Sequence, residues 1–74
     1  VLGAICIAPV ILAYAGVLKG KKATVFPDGV SMLKNGGAVY TAAGVQTDGA
    51  LVTANGPSSA EGFAAAVEQA LLAA

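Results

Sequence analysis

Val1-Leu2-Gly3-Ala4-Ile5-Cys6-Ile7-Ala8-Pro9 is an apolar run that meets the only cysteine of the chain, then small residues and a proline. A chain reads this way when a buried strand turns sharply into a helix and carries a nucleophile at the bend. The backbone of such an elbow is strained, so the positions two before and two after the nucleophile must be small, and here they are Ala4 and Ala8. The pattern is a cysteine version of the small-x-nucleophile-x-small logic of serine elbows. A thiol placed there faces the amide donors and positive end of the next helix, surroundings that raise a cysteine's reactivity. The competing reading of the same residues is a small buried hydrophobe, because free cysteines are among the most buried residue types.

Working outward, Val1 to Ile5 reads as the end of a buried strand and Ala8 to Ala15 as a helix with Pro9 in its first turn, ended by Gly16. Val17-Leu18-Lys19-Gly20-Lys21-Lys22 reads as a surface turn. Ala23-Thr24-Val25-Phe26 is rich enough in β-branched and aromatic residues for a second strand, stopped by Pro27. Asp28 is placed to cap a short helix through Lys34, with Asn35-Gly36-Gly37 as its stop, and Ala38-Val39-Tyr40-Thr41 reads as a strand. Val45-Gln46-Thr47 and Ala50-Leu51-Val52-Thr53 flank Asp48-Gly49, a tight-turn signal for a hairpin. After Asn55-Gly56-Pro57, Ser58 and Glu61 have the spacing of a capping box for a last helix. Phe63, Ala64, Val67, Ala70, Leu71 and Ala74 would lay its apolar stripe on a sheet, with Glu68 and Gln69 outward. This alternation indicates an α/β layer arrangement, in which ligands bind beyond the carboxyl ends of the strands, where Cys6 lies.

At 74 residues the chain is at most one small domain. Hydrophobic residues make up 57% of it and charged ones 11%, and its mean hydropathy is +0.79, more apolar than an ordinary soluble domain. The excess needs a partner surface, as when strands are covered on both faces in a parallel sheet. Val1 stands in mid-run and the only methionine is Met32, so the expectation is a processed or truncated C-terminal portion of a larger unit. Four Lys against four acidic residues leave no net charge and no electrostatic basis for nucleic-acid binding. Val1 to Leu18 is uncharged and approaches the length of a membrane span, but Gly3, Pro9 and Gly16 interrupt it, which argues against a membrane anchor. One cysteine forms no internal disulfide, and no His/Cys cluster has metal-ligand spacing, so no metal is expected and a reducing, cytoplasmic setting is.

Several separate stretches together resemble the ThiJ/PfpI family, a flavodoxin-like superfamily that includes the parkinsonism-associated protein deglycase and the class I glutamine amidotransferase domains. They are Ala4-Ile5-Cys6 followed by Pro9; Ala15-Gly16-Val17-Leu18-Lys19-Gly20-Lys21-Lys22-Ala23-Thr24; Asn35-Gly36-Gly37; the Asp48-Gly49 hairpin leading to Leu51-Val52-Thr53; Gly56-Pro57; and the closing helix from Phe63 to Leu71. The resemblance implies an α/β flavodoxin-like sandwich with a parallel sheet and a nucleophile elbow, of which residues 1–74 form the C-terminal part and the N-terminal part is absent. It implies Cys6 as nucleophile, with the backbone N–H of Ile7 at an oxyanion-type site and Ala8, Phe26 and Pro27 as pocket residues. The family's glutamate, which hydrogen-bonds the cysteine, belongs to the absent half.

Two departures accompany the match. The peptidase branch has a histidine directly after the nucleophile, where this chain has Ile7. The deglycase branch has one just before a proline on the next strand, where this chain has Phe26 before Pro27. Without any histidine, a Cys/His dyad cannot come from these residues, which argues against a cysteine peptidase or amidase. Two functions remain in view beside a bland one, in which the cysteine is merely packed. The first is cofactor-independent glyoxalase- or deglycase-like chemistry on small reactive carbonyls, with Phe26 making the pocket more apolar. The second is a redox-responsive or chaperone-like role in oxidative stress through oxidation of Cys6. The implied partners are an upstream polypeptide that completes the domain and a second copy in a homodimer.

Overall fold

A computed structural model describes residues 1–74. Strand β1 (Leu2–Ile5) leads through the Cys6 bend into helix α1 (Pro9–Tyr14); β2 (Lys22–Ala23), helix α2 (Val30–Asn35) and β3 (Val39–Tyr40) follow, then β4 (Val45–Asp48), β5 (Leu51–Ala54) and helix α3 (Ala60–Ala73). The larger sheet has the order β1-β5-β4, with β5 parallel to β1 and antiparallel to β4. Leu2 stands opposite Leu51 and Ile5 opposite Ala54, so the carboxyl ends of β1 and β5 coincide. A second, two-stranded parallel sheet pairs β2 with β3. This is the mixed α/β, mostly parallel architecture expected of a flavodoxin-like domain.

Both short helices end as their glycines dictate. Gly16 has φ +78°, and the N–H groups of Gly16 and Val17 return to the carbonyls of Ala13 and Leu12. These are the two bonds of a Schellman stop, which satisfies carbonyls left over at the helix end. The same pair recurs after α2, from Gly37 to Lys34 and from Ala38 to Leu33. The core forms where these helices meet the sheets, from Val10, Ala13, Leu18, Ala23, Val25, Leu33, Ala38 and Leu51; Leu18, expected in a surface turn, is fully buried there.

Several local expectations are corrected. The segment Ala23 to Phe26 keeps strand pairing only at Lys22–Ala23. Beyond it the Thr24 N–H donates to the Thr53 hydroxyl at 2.9 Å and the Phe26 N–H to the Cys6 carbonyl at 2.8 Å, so the backbone leaves its strand partner to tie two other elements. Asp28 caps nothing, because Pro27 begins a 3-10 turn (Pro27–Gly29) that leads into α2 and contains it. The Ser58–Glu61 capping box does not form for the same reason: Pro57 opens a 3-10 turn (Pro57–Ser59) that swallows Ser58, and the Ser59 hydroxyl donates to Asn55 Oδ1 at 2.8 Å. The hairpin forms one residue later than its signal. Gly49 and Ala50 are its central pair, Gly49 has φ +60°, and a glycine first in the turn matches the II′ geometry favoured between twisted strands.

Helix α3 presents Phe63, Ala66, Val67 and Ala70 half-buried, spaced three and four apart, while Ala64, Leu71 and Ala74 of the expected stripe are exposed. Gly3 receives it: a Cβ there would lie 3.1 Å from Phe63. Strand β1 is less covered than a buried strand should be. Leu2 is 42% exposed, and β1 pairs with β5 on one edge only. No helix is long and apolar enough to cross a membrane, the uncharged run Val1 to Leu18 being divided between β1 and α1.

Candidate functional site

Cys6 has φ +65° and is the only non-glycine residue at positive φ. That backbone costs an L-residue about 1–2 kcal/mol and persists only where the surroundings hold it. They hold it from both sides. The Cys6 N–H donates to the Ala54 carbonyl at 2.9 Å, continuing the β1–β5 ladder one residue past the strand, and the Cys6 carbonyl accepts the Phe26 N–H at 2.8 Å. Ala8 then closes the bend by donating to Ile5, at 3.2 Å, and Val10 donates to Ile7 at 3.1 Å. Among the backbone donors of the bend, the Ile7 N–H takes no part in any of these bonds. The thiol itself is free and half-buried. No side-chain hydrogen bond in the chain involves it.

Small residues permit this approach, as the elbow reasoning requires: Ala4 is buried and Ala8 half-buried beside the bend. The sequence-derived pocket residues gather at the same end of the sheet. Phe26, held by its backbone to Cys6, is 37% exposed, and its ring lies 3.6 Å from where a Cβ of Gly56 would stand. Pro27 follows it on the surface. Ile7 is 47% exposed, yet its Cδ1 reaches within 3.0 Å of where a Cβ of Gly29 would stand. Cys6, Ile7, Ala8, Phe26, Pro27 and Gly56 therefore form one neighbourhood built from β1, the β2–α2 connection and the turn after β5.

Other polar residues do not join it through hydrogen bonds. Thr41 donates to Gln46 Oε1 at 2.9 Å, Asn55 is engaged by Ser59 and Gly44, and Tyr40 packs under Lys34, whose Nζ is 5.7 Å from the ring centroid. Thr24 is fully buried and its hydroxyl has no partner. No group of three or more His, Cys, Asp or Glu side chains comes together to hold a metal ion.

Two supports escaped the sequence reading. Gly29 is buried with Val10 and Val25 methyls 2.8 Å from where its Cβ would be, so the turn after Phe26 can press onto the start of α1. The only signal for this was a glycine following Pro27-Asp28. Thr53, fully buried in β5, accepts the Thr24 N–H and so anchors the segment that carries Phe26. Nothing in a Leu-Val-Thr strand motif distinguishes that threonine from an ordinary strand residue.

Comparison with known proteins agrees with this geometry. The DJ-1/PfpI family profile matches residues 1–70. An uncharacterized protein of Methanocaldococcus jannaschii is 48% identical over 73 residues, which are 96% of this chain and 36% of that protein. The protein dj-1beta of Drosophila melanogaster is 37% identical over 70 residues, 95% of this chain and 37% of that one. The crystal structure of a ThiJ/PfpI domain protein from Brachyspira murdochii superposes with a TM-score of 0.96 at 32% identity, covering 100% of this chain and 43% of that one. A mutant of DJ-1 from Schizosaccharomyces pombe gives 0.83 at 28% identity, covering 90% and 35%. The chain thus spans little more than a third of the curated relatives it matches. With an elbow cysteine, this sheet order and this match along nearly its whole length, the chain belongs to the DJ-1/PfpI family.

Proposed function

We propose that Cys6 is the nucleophile of a cofactor-independent, glyoxalase- or deglycase-like reaction on small 2-oxoaldehydes. The observation that carries this reading is the positive φ of Cys6, held by Ala54 on one side and Phe26 on the other while the adjacent Ile7 N–H stays uncommitted. Strain maintained at one side chain, beside a free amide donor, suits a site where charge develops on oxygen. The thiolate adds to the aldehyde carbon: a C–S bond forms, the carbonyl π pair moves to oxygen, and the Ile7 N–H donates to that oxygen until it takes a proton. An acid/base group then removes the hydrogen on that carbon as a proton while the hemithioacetal O–H proton passes to the neighbouring ketone oxygen, giving an enediolate, and a proton returned to the former ketone carbon leaves a hydroxyl there. The aldehyde carbon is oxidised to a thioester as the ketone is reduced. Water releases the 2-hydroxy acid and restores the thiol.

The chain's own residues supply the nucleophile and the oxyanion donor. The proton carrier is assigned to polypeptide beyond residues 1–74, in keeping with the expectation that these residues are the C-terminal part of one domain. The unpaired edge of β1 is where the rest of that sheet would add. A reducing cytoplasmic compartment and a homodimer complete the reading. The test is turnover of methylglyoxal by the complete protein against a Cys6→Ser variant. Loss of at least about 100-fold on substitution supports it, since an activated nucleophile acts as a unit with its base. Equal rates reject it.

A second reading draws on the same free, half-buried thiol: peroxide oxidises Cys6 to a sulfenate and a second peroxide to a sulfinate, each step releasing water. The uncommitted Ile7 N–H would stabilise the oxygen gained. Intact mass after peroxide decides it, through a selective gain of two oxygens at Cys6.

A further inference from the structure

Phe26 is an aromatic residue that the fold does not consume. It belongs neither to the hydrophobic core nor to the side chains packed against that core. It remains more than a third exposed, although its backbone is fixed on both sides: its N–H is bonded to the Cys6 carbonyl at 2.8 Å, and its carbonyl accepts the Gly29 N–H at 2.8 Å. The ring lies alongside Gly56, its Cδ1 3.6 Å from where a Cβ there would stand, an ordinary van der Waals distance. An apolar ring in a fixed frame, one hydrogen bond from the strained residue, has lost little freedom still to lose when a ligand settles on it. Its neighbours in the site, Ile7 and Pro27, are also exposed and apolar.

We infer that Phe26 is a specificity-determining residue that makes this site select 2-oxoaldehydes carrying an aryl substituent on the ketone carbon over those carrying a methyl group. The inference rests on the reading of Cys6 as a carbonyl nucleophile and adds the identity of the substituent. The aldehyde carbon meets the thiolate, while the substituent on the neighbouring carbon projects away from it and onto the ring of Phe26. A phenyl group there gains an aromatic contact that a methyl group cannot make, worth about 2- to 12-fold in kcat/KM beyond simple area burial.

The experiment measures kcat/KM of the complete protein for phenylglyoxal and for methylglyoxal, in the unaltered protein and in Phe26→Ala, Phe26→Leu and Cys6→Ser variants. The quantity read is the phenyl-to-methyl ratio, which cancels both the intrinsic reactivity of the two aldehydes between variants and any difference in folded fraction. The expected result is a ratio lowered about 5- to 10-fold by Phe26→Ala and lowered also by Phe26→Leu, which keeps apolar bulk without the ring. If Phe26→Ala fails to fold, the Phe26→Leu ratio decides. A ratio unchanged within about twofold in the folded variant overturns the specificity role and leaves the nucleophile standing. Absence of any Cys6-dependent turnover of both aldehydes overturns the carbonyl reading, and this inference with it.

Discussion

Two threonines, both fully buried and in hydrogen-bond contact through a single bond, are expected to answer the same substitution with opposite signs. The Thr53 hydroxyl accepts the Thr24 N–H at 2.9 Å and lies 3.5 Å from the Gln46 carbonyl, to which it donates. Thr53→Val strands a buried amide, at a cost of about 1–3 kcal/mol, against a gain of roughly 0.8 kcal/mol for one more buried carbon. The net is a loss of about 0.2–2 kcal/mol. The Thr24 hydroxyl has no partner, so Thr24→Val removes a desolvated group that nothing compensates and should stabilise by about 1 kcal/mol. Urea unfolding of the complete protein reads both as midpoint shifts at constant slope. Two midpoints moving in the same direction would refute the assignment of these hydrogen bonds. The pair matters for function because Thr53 anchors the segment whose next bond, from Phe26, fixes Cys6.

The strain at Cys6 predicts an inverted preference. Replacing glycine by alanine ordinarily stabilises by about 0.4–1 kcal/mol through the unfolded chain, but at φ +65° the alanine is strained, so Cys6→Gly should exceed Cys6→Ala in stability by about 0.5–1 kcal/mol in a denaturant melt. Gly29→Ala drives a methyl into Val10, Val25 and Ile7 and should cost about 1–3 kcal/mol while slowing alkylation of Cys6 by iodoacetamide, because the bend beneath it shifts. Leu33→Ala empties a fully buried position between α2 and the small sheet and should cost about 2–5 kcal/mol by thermal unfolding, with the methylglyoxal rate per folded molecule kept.

The elbow was legible in the sequence because its requirement is local. A strained residue needs small neighbours two positions away, and Ala4 and Ala8 announce that without any knowledge of the rest of the fold. The helix stops were legible for the same reason, since Gly16 and Asn35-Gly36-Gly37 carry their geometry in their own residues. Part of what failed was governed by contacts distant in sequence. Phe26 left its expected strand because its N–H is taken by Cys6, twenty residues earlier. Ser58 and Asp28 lost their capping roles to prolines that begin a turn before them, so two local signals competed and the stiffer backbone won. Leu71 was placed on the buried stripe by its period, but a sheet of only three strands does not extend beneath the last turns of α3, and it is 59% exposed.

The most direct test of the account is to watch the bond it proposes. Methylglyoxal enriched with carbon-13 at the aldehyde carbon, mixed at stoichiometric concentration with the complete protein, should show a hemithioacetal carbon resonance that decays into the 2-hydroxy acid and is missing from the Cys6→Ser variant. Formation of the hydroxy acid by that variant at an undiminished rate, or a protein that consumes the aldehyde without any such resonance under single-turnover conditions, would contradict the assignment of Cys6 as the nucleophile.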